Sequence, residues 1–589
     1  MTNKIQSLNE LRENPEPEEK FDYSGGIYKI NEKGVFHIGF DKEGNETTPL
    51  WLSSPIKIKA LTRDSSGKEW GRLLEWRDKD GRLHEWAMPI ELLQGDGLEV
   101  RKVLSSAGLS VAPSTKARNL FNMFLQIWPV DRRARCTQKL GWHSGFYVMP
   151  GLSIGDDSET VVFQNQSPIE PAFQESGSIE EWRENVAAFA LGNTRLVFAI
   201  SAAFAGPLLQ VLNIEGGGFH FRGGSSSGKT TTLYIACSVW GGHEFKRSWK
   251  ATGNAIEGQA ALHNDNLLVL DEIKEANPFE VGQTAYMLAN GQGKGRANKS
   301  GLAKKAATWR LIFLSSGELS LPDLMKSAGQ KAYAGQEVRI VDIPSDAGAG
   351  MGMFQEIHGQ KSPGAFADYL NDMTAKFHGV AGVTFLNGLH ENKAEITERA
   401  KELINQFVEE LAIPETAAQA GRVARRFALV AVAGEIASAM GITGWSQDEA
   451  KKAAKECFQA WLKNRGGYQN QEETTILAQV KAFFEAHENS RFESASGSDE
   501  QRIINRVGFW RYRGDNKEYL VFPEAFKNEV CKGLDYKEAV KVLKKVGWLE
   551  PGPQKTAQLI HISGKLENKN GEPISKKRFY VFNSCLWGS

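Results

Sequence analysis

Residues 218–233, GFHFRGGSSSGKTTTL, constrain this chain more than any other stretch. Gly223, four spacer residues, then Gly228, Lys229 and Thr230 make a complete phosphate-loop signature behind a short apolar strand, 219–221. A glycine-rich turn that opens a helix aims backbone N–H groups and the positive end of the helix dipole at one point, where a triphosphate can sit. Gly223, Gly224, Ser225, Ser226, Ser227, Gly228 and Thr231 are therefore expected around the phosphates. Lys229 should reach the β and γ phosphates, and the Thr230 hydroxyl should serve magnesium.

Further along, LLVLDEI (267–273) is an uncharged, buried-strand run that ends in two carboxylates. Asp271 fits the magnesium shell, and Glu272 fits the group that polarises an attacking water. One carboxylate alone would suit a switch that binds nucleotide; the pair suits hydrolysis of ATP with Mg2+.

Lys+Arg and Asp+Glu are both 71 in the 589 residues, so the net charge is zero and any nucleic-acid surface must be local. The length predicts about two to four domains. Cys136, Cys237, Cys457, Cys531 and Cys585 are far apart, without a CxxC pair, which fits a reducing cytosol with neither disulfides nor zinc. The polar, acidic leader 1–20 is no signal peptide. Residues 196–214 are uncharged over a membrane-spanning length, but Gly206-Pro207 interrupts them, Gln210 and Asn213 lie inside, and the phosphate loop follows at once. They are expected to be a buried helix of a cytoplasmic protein without a membrane partner.

Residues 21–165 are β-rich: GVFHIGF, IKIKALTR, WGRLLEW and RLHEWAM alternate in character between turn sequences. A helix is expected near 114–127 and one more strand near 136–149. Trp51, Trp70, Trp76 and Trp86 fit either a stacking platform for single-stranded nucleic acid or core positions. Residues 166–350 alternate β and α and predict a parallel, covered sheet. Within them, 289–310 holds Lys294, Arg296, Lys299, Lys304, Lys305 and Arg310 among glycines with no acid. A flexible basic loop of this kind suits a phosphate backbone that moves past it. Strand 311–318 ends in Ser315 and Ser316, where a hydroxyl can touch the γ phosphate or the water. Arg339, on an apolar strand, is either structural or an arginine finger for a neighbour's ATP. Residues 351–470 read as a helical lid that carries Arg422, Arg425 and Arg426, and 471–589 as a winged-helix-like unit. In that last unit Arg506, Trp510, Arg511, Tyr512 and Arg513 are candidate DNA contacts.

GFHFRGGSSSGKTT, WKATGNAIEGQAALHNDNLLVLDE, AYMLANGQGKGRA, LIFLSSGE and AGQEVRIVDIP resemble the predicted ATPases typified by helicases of staphylococcal cassette chromosomes, found on mobile elements. The resemblance implies an AAA+ core similar to minichromosome-maintenance helicases, ring-forming and usually hexameric, which translocate on DNA. By position it makes Lys229 and Thr230 the Walker A pair, Asp271 and Glu272 the Walker B pair, Ser316 or Ser315 sensor 1, and Arg339 the finger. Arg425 or Arg426 is sensor 2, and Lys294, Arg296, Lys299, Lys304 and Lys305 lie where such helicases carry a hairpin into the channel that holds single-stranded DNA. Priming would come from a separate primase or replication protein, since nothing of that size precedes residue 21. The function so implied is an ATP-dependent helicase for replication of a phage, plasmid or other mobile element. Its alternative is a helicase loader or protein remodeller that hydrolyses ATP without unwinding DNA. Protein-threading rings place an aromatic residue in the pore, and none lies between 289 and 308.

Overall fold

The computed structural model describes residues 18–155, 160–164, 172–297, 303–304, 306–330, 335, 338–411, 413–414, 418–467, 471–495, 503–552, 557–561 and 576–587. The chain divides into two compact units, Met1–Ile413 with Gly421–Asn464, and Pro414–Ala420 with Arg465–Ser589.

The first unit begins with an antiparallel meander, β1 (Glu19–Tyr23), β2 (Gly26–Asn31), β3 (Gly34–Ile38) and β4 (Leu50–Ser53). A second sheet takes β5 (Ile56–Arg63), β6 (Gly71–Arg77), β7 (Leu83–Pro89), β8 (Arg133–Thr137) and β12 (Val161–Phe163), in the order β12-β8-β5-β6-β7. The strict alternation of IKIKALTR is why β5 buries every second residue. Helices α1 (Leu98–Ser106) and α2 (Thr115–Ile127) close the core over Trp76, Trp86, Phe121 and Phe124. The tryptophans form no stacking platform. Trp76 and Trp86 are core residues and Trp51 packs against them, which leaves Trp70 exposed.

The single strand expected near 136–149 is three. After β8 the chain turns into a small sheet of β9 (Gly141–His143), β10 (Phe146–Met149) and β11 (Leu152–Ile154), because Ser144 and Gly145 take positive φ and reverse it. This sheet is bonded to the base of the next layer. Trp142 N–H donates to Asp265 Oδ2 at 3.2 Å, and the Tyr147 hydroxyl donates to the Asp265 carbonyl at 2.8 Å.

The central layer is a five-stranded, wholly parallel sheet of β13 (Gly217–Arg222), β14 (Arg247–Ser248), β15 (Asn266–Asp271), β18 (Leu311–Gly317) and β19 (Ile340–Pro344), ordered β14-β15-β18-β13-β19. The crossovers include α6 (Lys229–Cys237), α7 (Gly253–Leu262) and α8 (Val281–Asn290), as a parallel sheet requires. Strands β16 (Arg296–Ala297) and β17 (Ala303–Lys304) form a ribbon apart from the sheet.

Helix α5 (Thr194–Leu212) runs behind the sheet without a break, so Gly206-Pro207 does not interrupt it. Pro207 lacks the N–H that would bond the Ala203 carbonyl, and Trp240 Nε1 supplies the missing donor at 2.9 Å. Gly206 is needed by space, since a Cβ there would sit 2.5 Å from Asn266 backbone atoms. By length and composition α5 could cross a membrane, and 89% of its apolar window is buried against the protein.

The second unit carries a five-stranded sheet, β20 (Phe492–Ser494), β21 (Gly508–Arg513), β22 (Asn516–Val521), β23 (Gln558–His561) and β24 (Lys576–Phe582), ordered β20-β21-β22-β24-β23. Helices Gln471–His487 and Tyr536–Lys545 pack on one face of it, over Phe484, Tyr519, Val542 and Phe582.

Candidate nucleotide site and basic loop

The carboxyl end of β13 feeds directly into the phosphate loop, and Gly228, at φ +85°, caps α6. Gly223 is fixed by crowding, because a Cβ there would land 1.7 Å from Ser345 Oγ. Ser226 also holds a positive φ of 59°, which turns the loop back on itself. Lys229 is buried, and its ammonium donates to the Gly223 and Gly224 carbonyls at 2.9 and 2.6 Å. Gly224, Ser225, Ser226 and Thr230 are exposed at the loop mouth, whereas Thr231 turns into the core.

β15 and β18 end beside this loop with the expected polar groups. Ser316 Oγ donates to Asp271 Oδ1 and accepts the Glu272 N–H at 3.3 Å. Glu272 sits at φ +54°, a left-handed conformation that costs a non-glycine residue about 1 kcal/mol and concentrates at functional sites. Ser315 points the other way and is consumed by the core: Trp249 Nε1 donates to it at 2.8 Å, and it lies 2.9 Å from His220 Nδ1. Since His220 Nε2 faces the Leu319 carbonyl at 3.0 Å, that nitrogen carries the proton and Ser315 donates to Nδ1. Burial lowers the pKa of His220 and keeps it neutral. Of the two serines, Ser316 alone reaches the carboxylates.

A residue the motifs did not single out completes this cluster. Lys246, just before β14, bonds Asp271 Oδ2 at 2.6 Å and lies over the Tyr234 ring at 4.9 Å. Burial works against its charge, but the hydrogen bond and charge of Asp271 outweigh it and raise the Lys246 pKa.

The arginines lie elsewhere. Arg339 precedes β19, and its carbonyl accepts the Gly218 N–H at 2.9 Å, at the amino end of the sheet. β13 has six residues, so that edge is roughly 17 Å from the phosphate loop. Arg426 shares the edge: it donates to the Val338 carbonyl at 3.1 Å, and a Cβ on Gly217 would strike its guanidinium. Burial lowers the Arg426 pKa to about 10, opposed by Glu215 and reinforced by Arg339. Arg310, Arg339, Arg422, Arg425 and Arg426 line one cleft of about 590 Å³ with Glu215 as its single acid. Arg425 and Arg426 are thus not brought beside the phosphate loop of their own chain.

The basic loop leaves α8 and returns to β18 through a short ladder. Gly293 N–H donates to Ala307 O at 2.8 Å, Trp309 N–H donates to Gly291 O at 2.9 Å, and Arg296 pairs with Lys304 across the ribbon. At its root Arg310 Nε meets the buried Asp265 carboxylate at 3.3 Å. Lys294 is exposed; Lys299 and Lys305 lie outside the described residues.

Residues 28–308 match the family described as a domain of unknown function, DUF927. The solved structure of SCCmec type IV Cch, titled an active helicase, superposes with a TM-score of 0.68 over 96% of this chain and 99% of that one, at 16% identity. This chain has the Cch fold. Two further structures overlap only loosely with it. The JCV helicase has a TM-score of 0.19 and 13% identity over 41% of this chain and 69% of that one. The C-terminal region of NrS-1 has a TM-score of 0.23 and 10% identity over 62% and 88%. No curated protein sequence matches.

The Cch-like core offers hard oxygen donors at the expected magnesium position, the Thr230 hydroxyl and the Asp271 carboxylate. Among the described residues no group of three or more His, Cys, Asp or Glu could hold a metal by itself. That fits magnesium, which takes one or two protein oxygens and completes its shell with phosphate and water. Sequence spacing could not reveal Lys246, because its reach to Asp271 depends on β14 pairing with β15 in parallel.

Proposed function

We propose that the chain is an ATP-dependent DNA helicase or translocase of AAA+ type that works as a ring, a hexamer, in replication of a phage, plasmid or other mobile element. One observation carries this reading: Ser316, Asp271 and Glu272 meet at the carboxyl edge from which the phosphate loop also rises. The strand order and the Cch fold support the AAA+ assignment. The order helix, strand, hairpin, helix, two strands in the second unit supports the winged-helix reading.

The loop N–H groups and Lys229 bind the phosphates, once the ammonium leaves the loop carbonyls. Magnesium, when bound, would be held by Thr230 and Asp271 and would neutralise charge between the β and γ phosphates. Lys246 holds the Asp271 carboxylate until then, so its ammonium competes with magnesium for the same oxygens. Glu272 orients the attacking water, and Ser316 fixes the Glu272 backbone and the Asp271 carboxylate in one geometry. Arg339 and Arg425, remote from their own loop, serve a neighbour's nucleotide across the subunit interface. Arg426 holds the Val338 carbonyl and sets the strand from which Arg339 projects. Lys294, Arg296, Lys299, Lys304 and Lys305 hold one DNA strand in the central channel. A separate primase or replication protein acts beside it in the cytoplasm.

The test is ATP-dependent unwinding of forked duplexes that carry only a 3′ or only a 5′ tail, run beside Lys229→Ala. Unwinding by wild type alone is the expected outcome and reports direction. ATP hydrolysis without strand separation on any substrate would replace this reading with a helicase loader or remodeller.

A further inference from the structure

The second unit holds an aromatic strip that the nucleotide site does not use. β21 and β22 form a hairpin whose two-residue loop, Gly514-Asp515, joins Arg513 to its partner Asn516. The base of the hairpin is core, with Phe509, Tyr519 and Leu520 fully buried and Trp510 half-buried against the core, while its tip, residues 512–516, is exposed. The two faces of the hairpin differ in chemistry.

On one face the arginines among the expected DNA contacts are already engaged. Arg511 Nη2 bonds Glu518 at 2.8 Å, and Arg513 reaches Glu550 at 3.3 Å and Glu518 at 3.6 Å. Glu518 itself is buried, so these arginines neutralise an internal carboxylate. Arg506 is likewise paired with Glu493 and stacked on Phe509.

The other face carries Trp510, Tyr512 and Lys517. Tyr512 and Lys517 are directly opposite in the register, and the Tyr512 ring, 64% exposed, meets the Trp510 ring edge-on at 5.7 Å. Lys517 lies diagonally over Trp510 at 5.2 Å and near the Tyr519 ring at 5.0 Å. Glu488 accepts the Tyr519 hydroxyl at 2.6 Å. Among the described residues Lys517 forms no ion pair.

We propose that this face of the hairpin binds single-stranded nucleic acid, with Tyr512 stacking on a base, the half-buried Trp510 backing the Tyr512 ring, and Lys517 meeting a backbone phosphate. Cationic charge beside an open aromatic face, with the local acids engaged elsewhere, matches an anionic chain that displays π-faces. A duplex hides those faces within its stack, so the site selects unpaired strands.

The full-length protein tests this with a fluorescent oligo-dT and a duplex of equal length, without nucleotide. Tyr512→Ala should weaken oligo-dT binding about tenfold, the scale of one lost base stack, and leave duplex binding unchanged. Tyr512→Phe should restore the affinity. Lys517→Gln should flatten the salt dependence by somewhat less than one phosphate's worth, about 0.7 in the log–log slope. Iodouracil photocrosslinks should map to 510–512. Unchanged oligo-dT affinity in Tyr512→Ala, equal losses on duplex and single strand, or crosslinks confined to the basic loop would overturn the proposal. The ATPase reading stands or falls separately, because none of these measurements requires hydrolysis.

Discussion

Lys229, Asp271 and Glu272 could be read from the sequence because each belongs to a short contiguous motif whose local turn or strand end places it. Lys229→Ala should abolish nucleotide binding, and Glu272→Gln should bind ATP and retain it unhydrolysed; equilibrium binding and single-turnover assays check both. Ser316 against Ser315 could not be separated in sequence, since pleat direction alone decides which hydroxyl faces Asp271. Lys246→Met should lower the Mg2+ concentration needed for half-maximal nucleotide binding by severalfold, measured with a fluorescent analogue, because the competing ammonium is gone. A pH effect belongs to His263. Burial lowers its pKa to about 4, so it is neutral in the fold, and its contribution to stability is present above the unfolded value of about 6.5. Stability should fall by about 3 kcal/mol as pH drops from 6.5 to 4. His263→Phe, which suits the contacts with Phe173 and Phe245, should flatten that stretch of the thermal-midpoint curve against pH.

At the scale of elements, alternation located β5, β6 and β7 within a residue, and uncharged runs located β15 and β18. Reading Pro207 as a break failed because the compensation for its missing N–H comes from Trp240, which no local rule can see. Trp240→Phe should therefore cost about 2 kcal/mol or more, the desolvation of one orphaned buried carbonyl plus lost packing, read as a shift in chemical denaturation. Reading 136–149 as one strand failed for a simpler reason: Ser144 adopts positive φ without being glycine. The arginines of β21 looked available in sequence, and the partner that takes them, Glu518, sits on the adjacent strand.

At the scale of the whole molecule, the phosphate loop and the arginine cleft occupy opposite edges of one sheet. If a neighbour's arginines complete each site, Lys229→Ala and Arg339→Ala should each be inactive alone, and mixing them should restore part of the ATPase rate through mixed interfaces. Steady-state hydrolysis against mixing ratio measures this. The basic loop joins the two edges in another way. Its root is pinned by Asp265 to Arg310, and the next seven residues are β18, hydrogen-bonded on both sides, with Ser316 as its last residue but one. A strand already near full extension cannot stretch to absorb a pull. If the loop grips a DNA strand as proposed, tension on that strand would be delivered, across roughly 20 Å, to the Ser316 hydroxyl that holds the Glu272 backbone. The central strand would in this sense be a tie-rod, and under the proposed function mechanical load and the timing of hydrolysis would share one component.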